Sequence, residues 1–401
     1  MYCEDWLYKT EAFANKDMSS QRISELLASI TEGDRMSFFE KWGEFRCENE
    51  FVALDITSIS TYSELINDAE WGYNRDGENL PQVNICLLLG EKSRLPIFQK
   101  VYSGSLGDVS TLKTTLQTIS GINLSNMSIV MDKGFSKVGN INGLLSDPLG
   151  IRFLVPLPFT LGFAKAQVNR ERESIDSAEN AIIIGSDVLR GVTSNQSWSE
   201  EHNVFVHAVL NTEVAASAKN NMFAKVRGLM NAVKREPEKH RNNKDVKKYL
   251  TIRKSKNADG GYSIKIKENA LSSAIMTKGW LILISNHVDN AQDAIEIYRA
   301  KDVVEKGFWQ MKTCLDLARL RVHSDKSMQS KIFVGFIALI ISAHIHKVMD
   351  EKELYKFWTM KKMLKILERL KIHHIKNDSI TSPLTKDQKR IFSAFGIQPD
   401  L

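Results

Sequence analysis

Cysteine is scarce: four in 401 residues, Cys3, Cys47, Cys86 and Cys314, with no Cys-x-x-Cys pair. That spacing argues against a zinc ribbon and against a disulfide framework, and each thiol reads as buried or free, as in a reducing cytoplasm. No long hydrophobic run is present. The most apolar stretch, IFVGFIALIISAHI from Ile332 to Ile345, is shorter than the roughly 20 residues that a membrane span needs, so it reads as a buried helix. The N-terminus, MYCEDWLYKTEAFANKD, is polar and mixed in charge, unlike a signal peptide. There is no GxxxxGK[ST] string, which removes an ATP-driven motor of the P-loop kind. Internal repeats and low-complexity tracts are also lacking.

What is present is ordinary for a soluble protein. Hydrophobic residues make up 43% and charged residues 25%, and the length suits two compact units or one large domain with an insertion. The net charge of +6 permits nucleic-acid binding without demanding it.

Periodicity divides the chain. Residues 1–49 carry two amphipathic helical pieces, SSQRISELLASI and MSFFEKWGEF, with Ser19 or Ser20 as a cap for the first. This segment is open to being a truncated DNA-binding region. Three strand-like runs follow, FVALDITSIS, VNICLLLG and RLPIFQKVYSG, then a helix, DVSTLKTTLQTIS, and a short buried strand, MSIVMD. A helix near SKVGNINGLLSD and a strand near IRFLVPLP complete a segment 50–157. Strands in a row, then helix and strand alternating, predict an α/β fold: an RNase H-like mixed sheet flanked by helices.

From 158 to 277 the alternation breaks. A polar helix (FAKAQVNRERESIDSAEN) and strands near AIIIG and HNVFVHAVLN come first. A long charged helix is then interrupted by Pro237, and a strand pair, KKYLTIRKS and GYSIKIKE, is joined by an ADGG turn. The expectation is an insertion between the sheet and the helix that follows. The core resumes over 278–349 with the strand WLILISN and a helix, and 350–401 is a helical tail.

Three acids stand out. Asp55 interrupts the apolar run FVAL, and Asp132 follows IVM in the same way. A carboxylate in such a run needs a partner if buried. Glu305 lies in IYRAKDVVEKGFWQMK. On an unbroken helix, Tyr298, Lys301, Glu305 and Lys312 would fall within about 60° of each other, beside an apolar stripe of Ile297, Val304, Phe308, Met311 and Leu315. An acid ringed by two amines and a phenol suits metal-dependent chemistry on nucleic acid.

These residues carry a resemblance. Tyr298-x2-Lys301-x3-Glu305-x6-Lys312 resembles the Y-x2-R-x3-E-x6-K signature of insertion-sequence transposases of the DDE class, with lysine where the family usually has arginine. Asp132-Lys133-Gly134-Phe135 resembles the second-aspartate segment, and Gly72 to Asp108 the second and third strands. The resemblance runs from about Phe51 to about Ile345, and it implies an RNase H-like core interrupted, over 158–277, by a mostly β insertion. It implies a bacterial, cytoplasmic, nucleoid-associated enzyme that cuts and joins DNA at the ends of its own element. Asp55, Asp132 and Glu305 would hold two Mg²⁺ ions, with Mn²⁺ able to substitute and Asp55 bridging. Tyr298, Lys301 and Lys312 would bind DNA phosphates. The partners implied are element ends and target DNA, with a homodimer assembled on DNA and no membrane. Two alternatives stay open: a nuclease of the same fold without joining activity, and a truncated, non-catalytic DNA-binding remnant that inhibits a full-length relative.

Other features are weaker. Trp198, Lys225, Arg227, Lys234 and Arg235 suit either a DNA contact or a solvated helix. His373 and His374 lack zinc partners, and Asp76-Gly77 reads as a hairpin turn.

Overall fold

The run FVALDITSIST becomes β1 (Phe51–Thr61), buried along nearly its whole length. β2 (Gln82–Gly90) lies antiparallel to it, in register from Val52↔Gly90 to Ser60↔Gln82. β3 (Pro96–Ser103) continues antiparallel on β2, with an irregularity between Leu88 and Leu89. β4 (Ser128–Met131) borders β1 on its other side, giving the order β3-β2-β1-β4. Ahead of this sheet come α1 (Cys3–Lys9), α2 (Ser20–Ser29) and α3 (Glu32–Phe45); α4 (Asp108–Gly121) follows β3. Ser19 caps α2, and Thr31 with Asp34 forms a capping box on α3.

The computed structural model describes residues 3–10, 18–46, 50–121, 128–148, 150–255, 262–375 and 378–398. The chain divides into two compact units, Met1–Val130 with Ala300–Leu401, and Met131–Arg299.

The second unit opens with α5 (Val138–Leu145), β5 (Arg152–Pro156) and α6 (Gly162–Glu171). β6 (Ala181–Ile184), β7 (Asp187–Ser197) and β8 (Asn203–Leu210) form an antiparallel meander. α7 (Thr212–Arg235), α8 (Pro237–His240) and α9 (Lys244–Tyr249) lead to the antiparallel pair β9 (Leu250–Lys254) and β10 (Tyr262–Ile266). The ADGG turn expected between them lies outside the described residues. α10 (Glu268–Met276), β11 (Trp280–Ser285) and α11 (Ala291–Ala300) close the unit, whose strand order is β5-β11-β8-β7-β6.

The inserted segment is therefore mixed rather than mostly β. The physical reason is α7, whose Val226 and Val233 join Val246, Tyr249, Leu250 and Leu271 in a core of their own. Pro237 ends that helix and starts α8, since proline cannot donate within a helix interior but fits its first position.

The chain then re-enters the first unit with α12 (Asp302–Trp309), a π-helical turn over Gln310–Cys314, and β12 (Arg319–Leu320), which pairs parallel with the end of β1. The sheet is thus mixed, as the sequence pattern predicts. α13 (Asp325–Glu351) is long and apolar enough to cross a membrane by length and composition. Here its buried face packs into the first unit: Phe333 and Phe336 meet Phe38 and Phe39, and Phe39 meets Phe98 of β3 with ring centroids 4.8 Å apart. α14 (Met360–Leu367), the hairpin β13 (Ile372–Ile375) and β14 (Asp378–Thr381), and α15 (Lys386–Ala394) finish the chain. Trp358, Met363 and Ile391 hold this last part against the end of α13 at Met349.

The β2–β3 turn is fastened by a buried ion pair. Glu50 accepts from the backbone N–H groups of Lys92 and Ser93 and from the Ser93 hydroxyl, and its Oε1 lies 3.0 Å from the Arg46 guanidinium. Glu50→Ala leaves Arg46 buried without this partner, so it should cost about 3–5 kcal/mol of stability. A urea or guanidinium titration checks this; a loss under about 1 kcal/mol would mean that the pair is dispensable.

Candidate active site

Asp55 sits in the middle of β1, half-buried, with Oδ1 accepting the Ile56 backbone N–H at 2.8 Å. Its cross-strand partner is Leu87. Directly opposed residues of an antiparallel pair project to the same sheet face. On that face lies α12: a Cβ added to Gly307 would stand 2.9 Å from Leu89 Cδ2 and 3.5 Å from Leu87 Cδ2. Asp55 therefore shares a sheet face with the helix that carries Glu305.

Glu305 occupies the first turn of α12, and its side chain is 67% exposed. Lys301 precedes the helix and is only 7% exposed in its side chain, with Nζ 3.8 Å from Glu305 Oε1. One buried ammonium thus stands behind one solvent-facing carboxylate. The glycine at 307 lets α12 approach β2 closely, because any side chain there would meet the two leucines.

The expected four-residue face does not run along one regular helix. The helical path breaks at Lys301, between α11 and α12, and passes into π-helix at Gln310, where the Leu315 N–H bonds to the Gln310 carbonyl. The extra residue per turn rotates everything beyond Trp309 away from the position that a 3.6-residue wheel assigns. Lys312 ends up with Nζ 2.6 Å from Asp76 Oδ2, its side chain 13% exposed.

Asp76 belongs to a turn inside the long β1–β2 connection, closed by the Gly77 N–H on the Asn74 carbonyl. The Asn74 side-chain oxygen accepts from the N–H groups of Asp76 and Glu78, which fixes both acids in place. Glu78 takes both guanidinium nitrogens of Arg319. Arg319, with Lys312 nearby, holds the Glu78 carboxyl below the usual carboxylate range. The sequence reading took Asp76-Gly77 only as a hairpin turn and passed over Glu78 and Arg319, since nothing in a linear pattern pairs residue 76 with 312 or 78 with 319.

Asp132 follows β4 in extended conformation, half-buried, and its carbonyl accepts the Phe135 N–H of a short 3₁₀ turn. Phe135 is buried and anchors that turn. Tyr298, on α11, packs against the cluster of Ile182, Leu189, Val209, Ala291 and Ile295, while neighbouring Arg299 pairs with Asp187 at 2.9 Å. Asp132 and Tyr298 thus belong to the second unit, and Asp55, Lys301, Glu305 and Lys312 to the first. Among the described residues, neither unit by itself gathers three or more His, Cys, Asp or Glu side chains into a metal nest.

Residues 46–341 match the family described as Transposase DDE domain. The match covers most of the chain, and the protein belongs to that family. No curated protein sequence matches it. Among solved structures, the piggyBac transposase synaptic complex with hairpin DNA is similar at 7% identity and a TM-score of 0.41, over 95% of this chain and 59% of that one. The chain spans less than two thirds of that relative's length.

The close approach at Gly307 is testable. Gly307→Val drives two methyl groups toward Leu87 and Leu89, and overpacking of this kind costs roughly 1–3 kcal/mol. Thermal or denaturant unfolding should register that loss; a variant as stable as the parent would mean that α12 is not held tightly on β2.

Proposed function

We propose that this transposase cleaves DNA at the ends of an insertion sequence and joins those ends to target DNA. Asp55, Asp132 and Glu305 act as its metal-binding carboxylates. The observation that carries the reading is the placement of Asp55 on the sheet face covered by the Glu305 helix. A carboxylate in the middle of a mostly buried strand is costly unless something nearby stabilises its charge. The donor chemistry fits Mg²⁺, which prefers hard oxygen ligands and is held by one or two carboxylates per ion. Glu305, facing solvent, is open to a hydrated cation. Two bound ions would neutralise charge on the phosphate being cut and generate the attacking oxygen at neutral pH.

In this reading Lys301 stands behind Glu305 and orients its carboxylate. Lys312 meets the DNA backbone, where it contributes affinity without sequence information. Tyr298 is assigned to a phosphate oxygen on the strength of the family signature. A homodimer forms on DNA, so that two element ends are handled together.

The test is cleavage of an element-end duplex with Mg²⁺ or Mn²⁺. Asp55→Asn, Asp132→Asn and Glu305→Gln keep the shape and remove the charge, so each should abolish cutting. Glu305→Gln cutting at the parental rate would remove Glu305 from the site. Supplying a pre-cut end then separates the two activities: release without joined product would make the protein a nuclease.

Lys312 offers a second test. In the free chain Asp76 already neutralises it, so phosphate must displace a carboxylate. Asp76→Ala should tighten DNA binding several-fold at low salt. Lys312→Ala should lower the slope of log affinity against log salt by about one, on element ends and unrelated DNA alike. An unchanged slope would mean that this amine does not hold phosphate.

A further inference from the structure

Between the end of β1 and the start of β2 the chain leaves the sheet over residues 62–81. Irregular connections of this length inside a compact unit are uncommon and tend to be functional. This one is built, not slack. Glu70 and Gln82 exchange both backbone hydrogen bonds at 3.0 Å, and the Gly104 N–H reaches the Asp68 carbonyl. The Gln82 side-chain amide donates to the Tyr73 carbonyl, the Asn74 amide to the Ser60 hydroxyl, and the Asn67 backbone N–H and side-chain amide both to Asp325. At Gly72 the backbone is pressed so closely on the sheet that a Cβ would lie 2.0 Å from the Gly104 carbonyl oxygen.

On this fixed backbone stand three large aromatic side chains that the core does not use. Tyr62 is 74% exposed, Trp71 63% and Tyr73 84%. Trp71 and Tyr73 flank the pressed-down Gly72. The Arg319 guanidinium lies 5.3 Å from the Tyr62 ring centroid. Aromatic rings held out from a rigid backbone, one of them beside a guanidinium, are what a ligand with flat faces and a phosphate backbone requires. The same connection grows out of the strand that bears Asp55.

We propose that the β1–β2 connection is a stacking platform for unpaired bases of DNA, with Trp71 and Tyr73 as the principal rings and Tyr62 beside Arg319 as a third. The inference rests on the transposase reading above and adds to it a single-strand subsite. A DNA end that is being cut and transferred exposes unpaired bases, and fixed rings would capture them with little ordering cost.

The experiment measures binding of a labelled oligo-dT and of a matched duplex by fluorescence anisotropy, in buffer with a chelator and no divalent metal. Parent, Trp71→Ala, Tyr73→Ala, the double variant and Trp71→Phe are compared, with thermal melts to confirm folding. Each alanine should weaken oligo-dT binding about 10-fold, duplex binding should stay within about 2-fold, and Trp71→Phe should retain most of the affinity. A double variant that binds oligo-dT as the parent does overturns the platform. So does one that loses single-strand and duplex affinity equally, or a parent that binds the duplex but no oligo-dT. If the parent binds neither DNA, the transposase reading fails with it, which distinguishes the two failures.

Discussion

A carboxylate in the middle of a strand that is otherwise buried is the constraint around which the first unit is organised. β1 is bordered by β2 and β4, so Asp55 cannot be moved without moving the sheet. Because side chains alternate across a strand, a slip of one residue would put Asp55 on the opposite face and Leu54 or Ile56 in its place. The register from Val52 to Ser60 therefore determines which face carries the acid. The leucines opposite β1 determine how α12 seats there, and the lack of a side chain at Gly307 determines how closely.

Much of this was legible in the sequence because it rests on apolar periodicity. The first three strands, α13 and the fragment KKYLTIRKS with its partner all read as unbroken or alternating apolar runs, and they stand where the pattern puts them. Asp55 was legible as a charge that interrupts such a run. β7 was missed because DVLRGVTSNQS is polar and half-buried, with little apolar alternation to reveal it. The hairpin of β13 and β14 was missed for a similar reason: its strands are short, and IHHI reads equally well as a surface loop. Lys301 and Glu305 do stand side by side, but the extension of their face to Lys312 was an inference from a perfect wheel. A break at Lys301 and a π-turn at Gln310 are deviations of one residue that no periodicity reveals.

Three cations of the first unit share one arrangement. Lys301 faces Glu305, Lys312 faces Asp76, and Arg319 faces Glu78. The two lysines expected to meet phosphate, Lys301 and Lys312, each already face a carboxylate of the same chain. Such pairing keeps a basic protein from sticking to any polyanion, since a phosphate gains only the difference between itself and the carboxylate it displaces.

The first unit is also split along the chain, and this bears on its synthesis. Phe39 and Phe98 are made early, but Phe333 and Phe336 arrive only with α13, as does the Asp325 carboxylate that binds Asn67, and the Leu320 carbonyl that accepts from Thr61 comes only with β12. While the intervening unit leaves the ribosome, the sheet has an apolar face with nothing on it. Contacts across such sequence separation form slowly, and open apolar faces recruit chaperones or aggregate in the meantime. A message cut short before residue 300 would yield a chain with a bare phenylalanine cluster and no Glu305.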